Sequence, residues 1–272
     1  MDVSDLALLA DGRHLASAGR EGKAAIWDIS GSAHQVAALQ LALFRRLTWS
    51  SNGACVASED NRMTIQIWTD ERSRSYPLTV PGQDMPSRAH SPLTDAGFWP
   101  TIGTAVMFGM WSTFSSSSTH VAAGHEDGSV RVWDMATRQE PLHWQAHAEQ
   151  ILDMAFSPDG RLLLSASPWE KTVRLWNAHT GAMVRSLEGH AHWVCKVCFS
   201  PCGKYIASAS EDETVRVWRT SDGVCLATLS DHGGEVLQVA FTPDGTMLWS
   251  AAHNGTVLGR PLREIIPDEI EP

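Results

Sequence analysis

The chain has 272 residues, 43% of them hydrophobic, with 21 basic and 31 acidic side chains and a formal net charge of −10. A chain of this length and apolar content buries roughly 75% of its unfolded surface, which excludes wholesale disorder. The acid excess argues against direct nucleic-acid binding, whose affinity comes largely from basic side chains on phosphates. The longest uncharged apolar stretch, 101–114, is broken by Gly and Thr and is too short to span a bilayer. The opening MDVSDLALLADGR has no basic region ahead of an apolar run, so it does not read as a secretory leader. Five Cys without a leader read as free thiols in a reducing compartment. These features point to an intracellular protein, cytoplasmic or nuclear, with no membrane partner.

Six stretches resemble one another. In chain order they are LLADGRHLASAGREGKAAIWD from Leu8, WSSNGACVASEDNRMTIQIW from Trp49 and FSSSSTHVAAGHEDGSVRVWD from Phe114. FSPDGRLLLSASPWEKTVRLWN from Phe156, FSPCGKYIASASEDETVRVWR from Phe199 and FTPDGTMLWSAAHNGTVLGR from Phe241 follow. Trp27, Trp68, Trp133, Trp176 and Trp218 close five of them, and Arg260 takes the Trp place in the last. The recurrence is about 42 residues, with the step from Trp68 to Trp133 longer by about 23.

Each copy predicts strands. V-R-V-W and V-R-L-W alternate apolar with polar, the period of a half-buried strand, and the P-D-G and E-D-G clusters supply tight turns between antiparallel neighbours. Each unit holds about four strands: one ending at the Phe, one through I-A-S-A-S, one ending at the Trp and one beyond it, such as Val224–Leu229. Four-stranded units at this period predict an all-β protein, a β-propeller of antiparallel blades. Blades are expected at 1–40, 41–76, 104–146, 147–189, 190–231 and 232–267, with a Pro-rich insertion loop at 77–103. The segment EIIPDEIEP predicts a last outer strand followed by an acidic tail at 268–272.

The period, Gly189-His190 ahead of a first strand, the S-P-D-G turn, and the terminal W-D at Trp27-Asp28 and Trp133-Asp134 resemble the WD-repeat family over nearly the whole chain. Seven blades are common in that family, so the six copies read either as a closed ring or as an incomplete seven-bladed propeller. The resemblance implies that a His, a Ser, a turn Asp and the Trp pin each blade by hydrogen bonds. Carried over, the set is complete in His190, Ser208, Asp212 and Trp218. The preceding copy offers His147, Ser165 and Trp176, with Glu170 in the Asp place after one extra turn residue. The last offers His232 and Ser250, with Asn254 for Asp and Arg260 for Trp, so its network is expected to be weak. The first three copies lack the His, Gln40 and Ala105 standing there in the second and third; Asp127 is the turn acid of the third.

His190, Ser208 and Asp212 are also the residue types of a hydrolase triad, but no G-x-S-x-G elbow accompanies them. There is no phosphate loop, dinucleotide fingerprint or H-E-x-x-H, so no enzyme is read and no cofactor is expected. His192, Cys195, Cys198 and Cys202 fall within eleven residues, a spacing that invites zinc. Cys195 and Cys198 lie three apart in a predicted strand, where side chains face opposite ways, so no metal is expected. Asn254-Gly255-Thr256 fits a glycosylation acceptor but sits where a tight turn explains it.

Without catalytic chemistry, function is placed on the surface. The family resemblance implies docking on loops before the first strands and between the second and third strands. These carry Glu149, His192, Trp193 and Glu235, then Trp169, Lys171, Glu211, Glu213 and His253. Acids predominate, so the expected partner is a protein or peptide, basic or mixed in charge. Trp169, in an inserted turn position, reads equally as an anchor for a partner or as cover for a neighbouring blade. The leading function is a rigid interaction scaffold. The alternatives are a substrate receptor or chromatin-complex subunit, or the C-terminal part of a larger WD-repeat protein. Oligomeric state is left open.

Overall fold

The alternating residues of each copy form short antiparallel strands, each paired with its sequence neighbour. A computed structural model describes 111–117, 119–135 and 142–269 and, within 1–78, the strands together with the side chains of Trp27 and Asp28. The first sheet is β1 (Val3–Leu8), β2 (His14–Gly19), β3 (Lys23–Asp28) and β4 (His34–Gln40). The second is β5 (Phe44–Trp49), β6 (Cys55–Asp60), β7 (Ile65–Thr69) and β8 (Arg74–Leu78). The third is β9 (Trp111–Phe114), β10 (His120–Gly124), β11 (Ser129–Asp134) and β12 (Leu142–Gln145). β13 (Asp153–Phe156), β14 (Leu162–Ser167), β15 (Thr172–Asn177) and β16 (Met183–Leu187) make the fourth. β17 (Val194–Phe199), β18 (Tyr205–Ser210), β19 (Val215–Arg219) and β20 (Cys225–Leu229) make the fifth. The sixth is β21 (Val236–Phe241), β22 (Met247–Ala252) and β23 (Val257–Pro261).

The first strands β1, β5, β9, β13, β17 and β21 lie each beside the next, the arrangement of propeller blades. β8 runs to Leu78, two residues into 77–103; the rest of that segment lies outside the described residues.

Sheets stack through repeated apolar faces. Ala122, Val130 and Val132 of the third meet Met154, Leu163 and Trp176 of the fourth. Leu164, Val173 and Leu175 of the fourth meet Val194, Val197, Ile206 and Trp218 of the fifth. Ala207, Ala209, Val215 and Val217 of the fifth meet Val236, Val239 and Leu248 of the sixth. Each aliphatic side chain so removed from water contributes about 1.5–3 kcal/mol before the entropy cost of ordering it. The sheets also meet through backbone. Gly128 (φ +78°) lets its turn approach the fourth sheet so closely that a Cβ would lie 2.1 Å from the His147 carbonyl oxygen, and its own carbonyl accepts the Ala146 and His147 N–H groups.

The C-terminal segment departs from expectation. No fourth strand pairs with β23 among the described residues. Instead Leu262–Ile265 forms one helical turn, α1, and Pro267–Glu269 a 3-10 turn. Leu262 and Ile266 bury in the core between the fifth and sixth sheets, a gain of apolar burial that an outer strand leaving at Pro261 does not offer. Of the expected acidic tail, Glu269 is held by the Arg219 guanidinium, and its carbonyl accepts the Tyr205 hydroxyl at 3.1 Å; 270–272 lie outside the described residues.

Polar fastening differs from blade to blade. In the fifth sheet the Ser208 hydroxyl accepts the Trp218 indole N–H at 2.9 Å and lies 2.7 Å from His190 Nε2, while His190 Nδ1 is 2.8 Å from Asp212. The set closes when Nδ1–H donates to the carboxylate and the hydroxyl donates to Nε2. In the fourth sheet Ser165 joins Trp176 at 2.8 Å and His147 at 2.7 Å. The longer Glu170 side chain makes up for the extra turn residue, reaching His147 Nδ1 at 2.6 Å and Arg174 at 3.0 Å. In the sixth, His232 Nε2 bonds Ser250 at 2.7 Å, but Nδ1 is buried without a hydrogen-bond partner. Asn254 turns to the His232 and Gly233 carbonyls, and Arg260 pairs with Asp231.

The third sheet hides a defect that the Trp and turn Asp concealed in the sequence. Ala123 opposes Arg131 in its ladder where Ser165 opposes Arg174 and Ser208 opposes Arg216. The Trp133 indole N–H is accordingly buried with no partner. Two outcomes follow, both read by urea unfolding. Ser208→Ala leaves two buried groups unpaired and costs about 2–3 kcal/mol. Ala123→Ser supplies the missing acceptor and stabilises by about 1 kcal/mol.

Candidate partner-binding surface

The His-bearing loops and the turns between second and third strands meet at one end of the sheets, as the His–carboxylate bonds require. The turn from Ser167 to Thr172 is one residue longer than Ser210–Thr214, and it lifts Trp169 out to 57% exposure. The Trp169 ring packs edge-on against Trp193 of the neighbouring sheet's loop, centroids 4.9 Å apart. Trp193 in turn stacks with His192 at 6.0 Å. His192 Nδ1 lies 2.9 Å from Glu211, whose N–H donates to the Trp193 carbonyl; the Ser210 hydroxyl donates to the His192 carbonyl at 3.2 Å. Trp169, Trp193, His192 and Glu211 thus form a single patch across the seam between the fourth and fifth sheets. Trp169 both touches the neighbouring blade and presents most of its ring to solvent.

The remaining loop residues lie apart from this patch. Glu149 is exposed in the loop before β13. Lys171 and Glu213 are exposed and occupy left-handed backbone (φ +59° and +67°) where the third and sixth sheets have Gly128 and Gly255. Glu235 and His253 form a second locus on the last blade, the His253 N–H donating to the Glu235 carbonyl.

The triad-like set cannot present a nucleophile. Ser208 is fully buried, and its oxygen already accepts the Trp218 N–H. Asp212 belongs to the blade fastening. Burial alone would raise its pKa, but hydrogen bonds from His190, the Thr214 hydroxyl and the Ala191 N–H outweigh this and hold it well below the usual carboxylate range. Two thiols of the run from His192 to Cys202 are held in the protonated form. Burial pushes Cys198 up to about 12 and Cys195 to about 11, the wrong direction for a thiolate ligand or nucleophile. Among the described residues no three His, Cys, Asp or Glu side chains converge as a metal site, and no helix is long and apolar enough to cross a membrane.

Two features escaped the sequence. Asp153, buried at the start of β13, receives Lys196 at 2.9 Å and the Val197 N–H at 2.9 Å, tying the first strands of adjacent sheets. No local pattern marks it, because its partners lie more than forty residues away. His125 is buried where the fourth and fifth sheets have Ser167 and Ser210, its Nε2 accepting from Arg131 at 3.5 Å.

Five segments, 1–28, 108–134, 139–177, 181–219 and 223–258, match the WD domain, G-beta repeat family. Together they cover more than half of the chain, which therefore belongs to the WD40-repeat family, a class of protein-interaction scaffolds. The second sheet, whose strands are evident, falls outside those segments. The chain is also similar to individual members. It is 32% identical over 95 residues to eukaryotic translation initiation factor 3 subunit I of Culex quinquefasciatus, covering 35% of this chain and 28% of that protein. It is 38% identical over 63 residues to the guanine nucleotide-exchange factor SEC12 of Rattus norvegicus, 21% of this chain and 15% of that one. It is 28% identical over 164 residues to guanine nucleotide-binding protein subunit beta-like protein 1 of Mus musculus, 56% and 44% respectively. Each match thus spans less than half of the relative's length.

Burial, reinforced by the Arg131 charge, lowers the His125 pKa from 6.5 to about 4. Below pH 6.5 the unfolded chain takes up a proton that the folded chain refuses, so this contribution to stability is complete above pH 6.5 and is lost as pH falls toward 4. His125→Gln is expected to flatten the fall in urea midpoint between pH 7 and 5; an unchanged slope counts against the assignment.

Proposed function

We propose that this protein is a non-enzymatic platform that recognises a protein or peptide through the loop end of its blades, with Trp169 as the anchor. One observation carries the reading. An indole more than half exposed is braced edge-on by a second indole, so it offers apolar area at little further entropic cost. The charge on this loop end favours a basic or mixed partner: Glu211 lies in the patch, and Glu149, Glu213 and Glu235, with Lys171, are exposed on the other loops. Complementary charge of this kind steers association and rejects acidic competitors. The segments 77–103 and 268–272 stand in this reading as an insertion and a terminal extension of one propeller domain in the intracellular space.

A second reading, a subunit of a larger assembly, draws on the similarity to a protein whose name marks it as a subunit of translation initiation factor 3.

Affinity purification of wild type and Trp169→Ala, followed by mass spectrometry, tests the proposal. Trp169→Ala is expected to retain the wild-type unfolding midpoint and to weaken the principal partner by about 2 kcal/mol, roughly thirtyfold in affinity. An unchanged partner set removes Trp169 as the anchor.

A further inference from the structure

In the turn between its second and third strands, the last blade has a donor where its neighbour has an acceptor. In the fifth sheet, one Asp212 oxygen accepts the Thr214 N–H at 3.0 Å. The other accepts from His190 Nδ1 at 2.8 Å and from the Ala191 N–H at 2.9 Å. Asn254 stands in the same place, its carbonyl oxygen accepting the Thr256 N–H at 3.0 Å. Its other side-chain atom is a nitrogen, which can only donate. That nitrogen turns to the His232 and Gly233 carbonyls at 3.0 and 3.2 Å. The His232 side chain is fully buried, and its Nδ1 has no hydrogen-bond partner. The Asp231 carboxylate, 4.0 Å from Nδ1, is engaged by Arg260.

The residue that follows makes this amide reactive. After Asp212 comes Glu213, in left-handed backbone at φ +67°. After Asn254 comes Gly255, at φ +87°, with nothing within 4 Å of where a Cβ would sit. An Asn followed by Gly lets the next main-chain nitrogen reach the side-chain carbonyl carbon most freely, because no Cβ stands in the way. The Thr256 N–H on the Asn254 carbonyl oxygen polarises that carbonyl and supports the oxyanion that attack creates. The Gly255 N–H donates to the Ala252 carbonyl at 3.0 Å, so attack waits on the opening of this turn bond and the reaction is slow.

We infer that Asn254 is a site of spontaneous deamidation, and that the Asp it leaves completes the fastening of the last blade. The Gly255 nitrogen bonds to the Asn254 Cγ, and the side-chain nitrogen leaves as ammonia, carrying off the proton that Gly255 loses. Water then opens the cyclic imide and returns a proton to the Gly255 nitrogen. Cleavage at the side-chain carbonyl leaves Asp; cleavage at the main-chain carbonyl leaves isoaspartate, with an extra methylene in the chain. Water is the only co-reactant. In the Asp form a carboxylate oxygen replaces the amide nitrogen and accepts from His232 Nδ1–H, as Asp212 accepts from His190. The same oxygen is repelled by the His232 and Gly233 carbonyls that the amide now holds. The loop before β21 therefore turns to present the Gly233 N–H, as Ala191 presents its own. Gly233 (φ +63°) and Gly234 give it the freedom to do so. That loop leads into Glu235, whose carbonyl accepts the His253 N–H, so the modification reaches the second locus of the loop end.

The test uses the protein alone. The chain holds another Asn-Gly at Asn52-Gly53, so conversion is located by peptide mapping, with Asp separated from isoaspartate by chromatography. Protein aged at neutral pH is expected to accumulate Asp at 254, and Gly255→Ala to suppress it. Glu213 shows that this backbone accepts a side chain. Hydrogen exchange supplies the second readout. In Asn254→Asp, protection of the His232 ring N–H and the Gly233 amide is expected to rise about tenfold over wild type. Three results each overturn the inference. They are Asn254 intact after a short peptide of the same sequence has converted, isoaspartate as the sole product at 254, and Asn254→Asp with unchanged exchange at His232 and Gly233.

Discussion

The constraint on which everything else rests is that no single sheet here can bury both of its faces. The second strands show it most directly: every residue of Tyr205–Ser210 is buried, although a strand in an isolated sheet would keep alternate residues wet. Burial on both sides comes only from stacking, the Val and Leu of one sheet filling the face of Ala and Val presented by the sheet before it. The small residues of β18 are therefore a packing requirement, since Ala207 and Ala209 leave room for Val239 and Leu248. Stability is thereby shared between neighbours, as in other repeat arrays.

On that apolar base, the Ser hydroxyl between indole and imidazole converts a slippery stack into a fixed one. A buried indole N–H and a buried imidazole are both costly unless paired, and one hydroxyl serves the two at once. The described blades form a graded series. The fourth and fifth are fully joined, the sixth lacks the indole and leaves His232 Nδ1 unpaired, and the third has the indole without the hydroxyl. The best-fastened pair is also the pair whose seam carries Trp169 and Trp193. A rigid seam suits recognition, because side chains already held in place lose little freedom when a partner arrives.

Much of this was legible in the residues. Alternation and turn clusters marked strands in all six copies, including the second, and the His-Ser-Asp-Trp spacing named the members of the fifth blade's network. The replacement of Asp by Glu170 was readable as a substitution; that it still works depends on a side chain one methylene longer spanning one extra turn residue. The Ala123 gap was overlooked because Ala is an ordinary strand residue, and its consequence appears only against Trp133 ten residues on. The C-terminal segment misled for a similar reason. Its Ile residues suit a strand locally, yet Leu262 and Ile266 find an apolar seam to fill as a helical turn.

Sequence alone thus determined the features carried by neighbours along the chain: strand period, turn positions, repeat length, and the residue types that fasten a blade. These are local, and their physics is complete within one unit. The tertiary structure decided which faces meet. It buried Ala207 between the fifth and sixth sheets, and it turned Trp169 outward against Trp193. Exposure is a property of what lies on the other side, and in a stack of near-identical sheets only the order of stacking says which face has a neighbour.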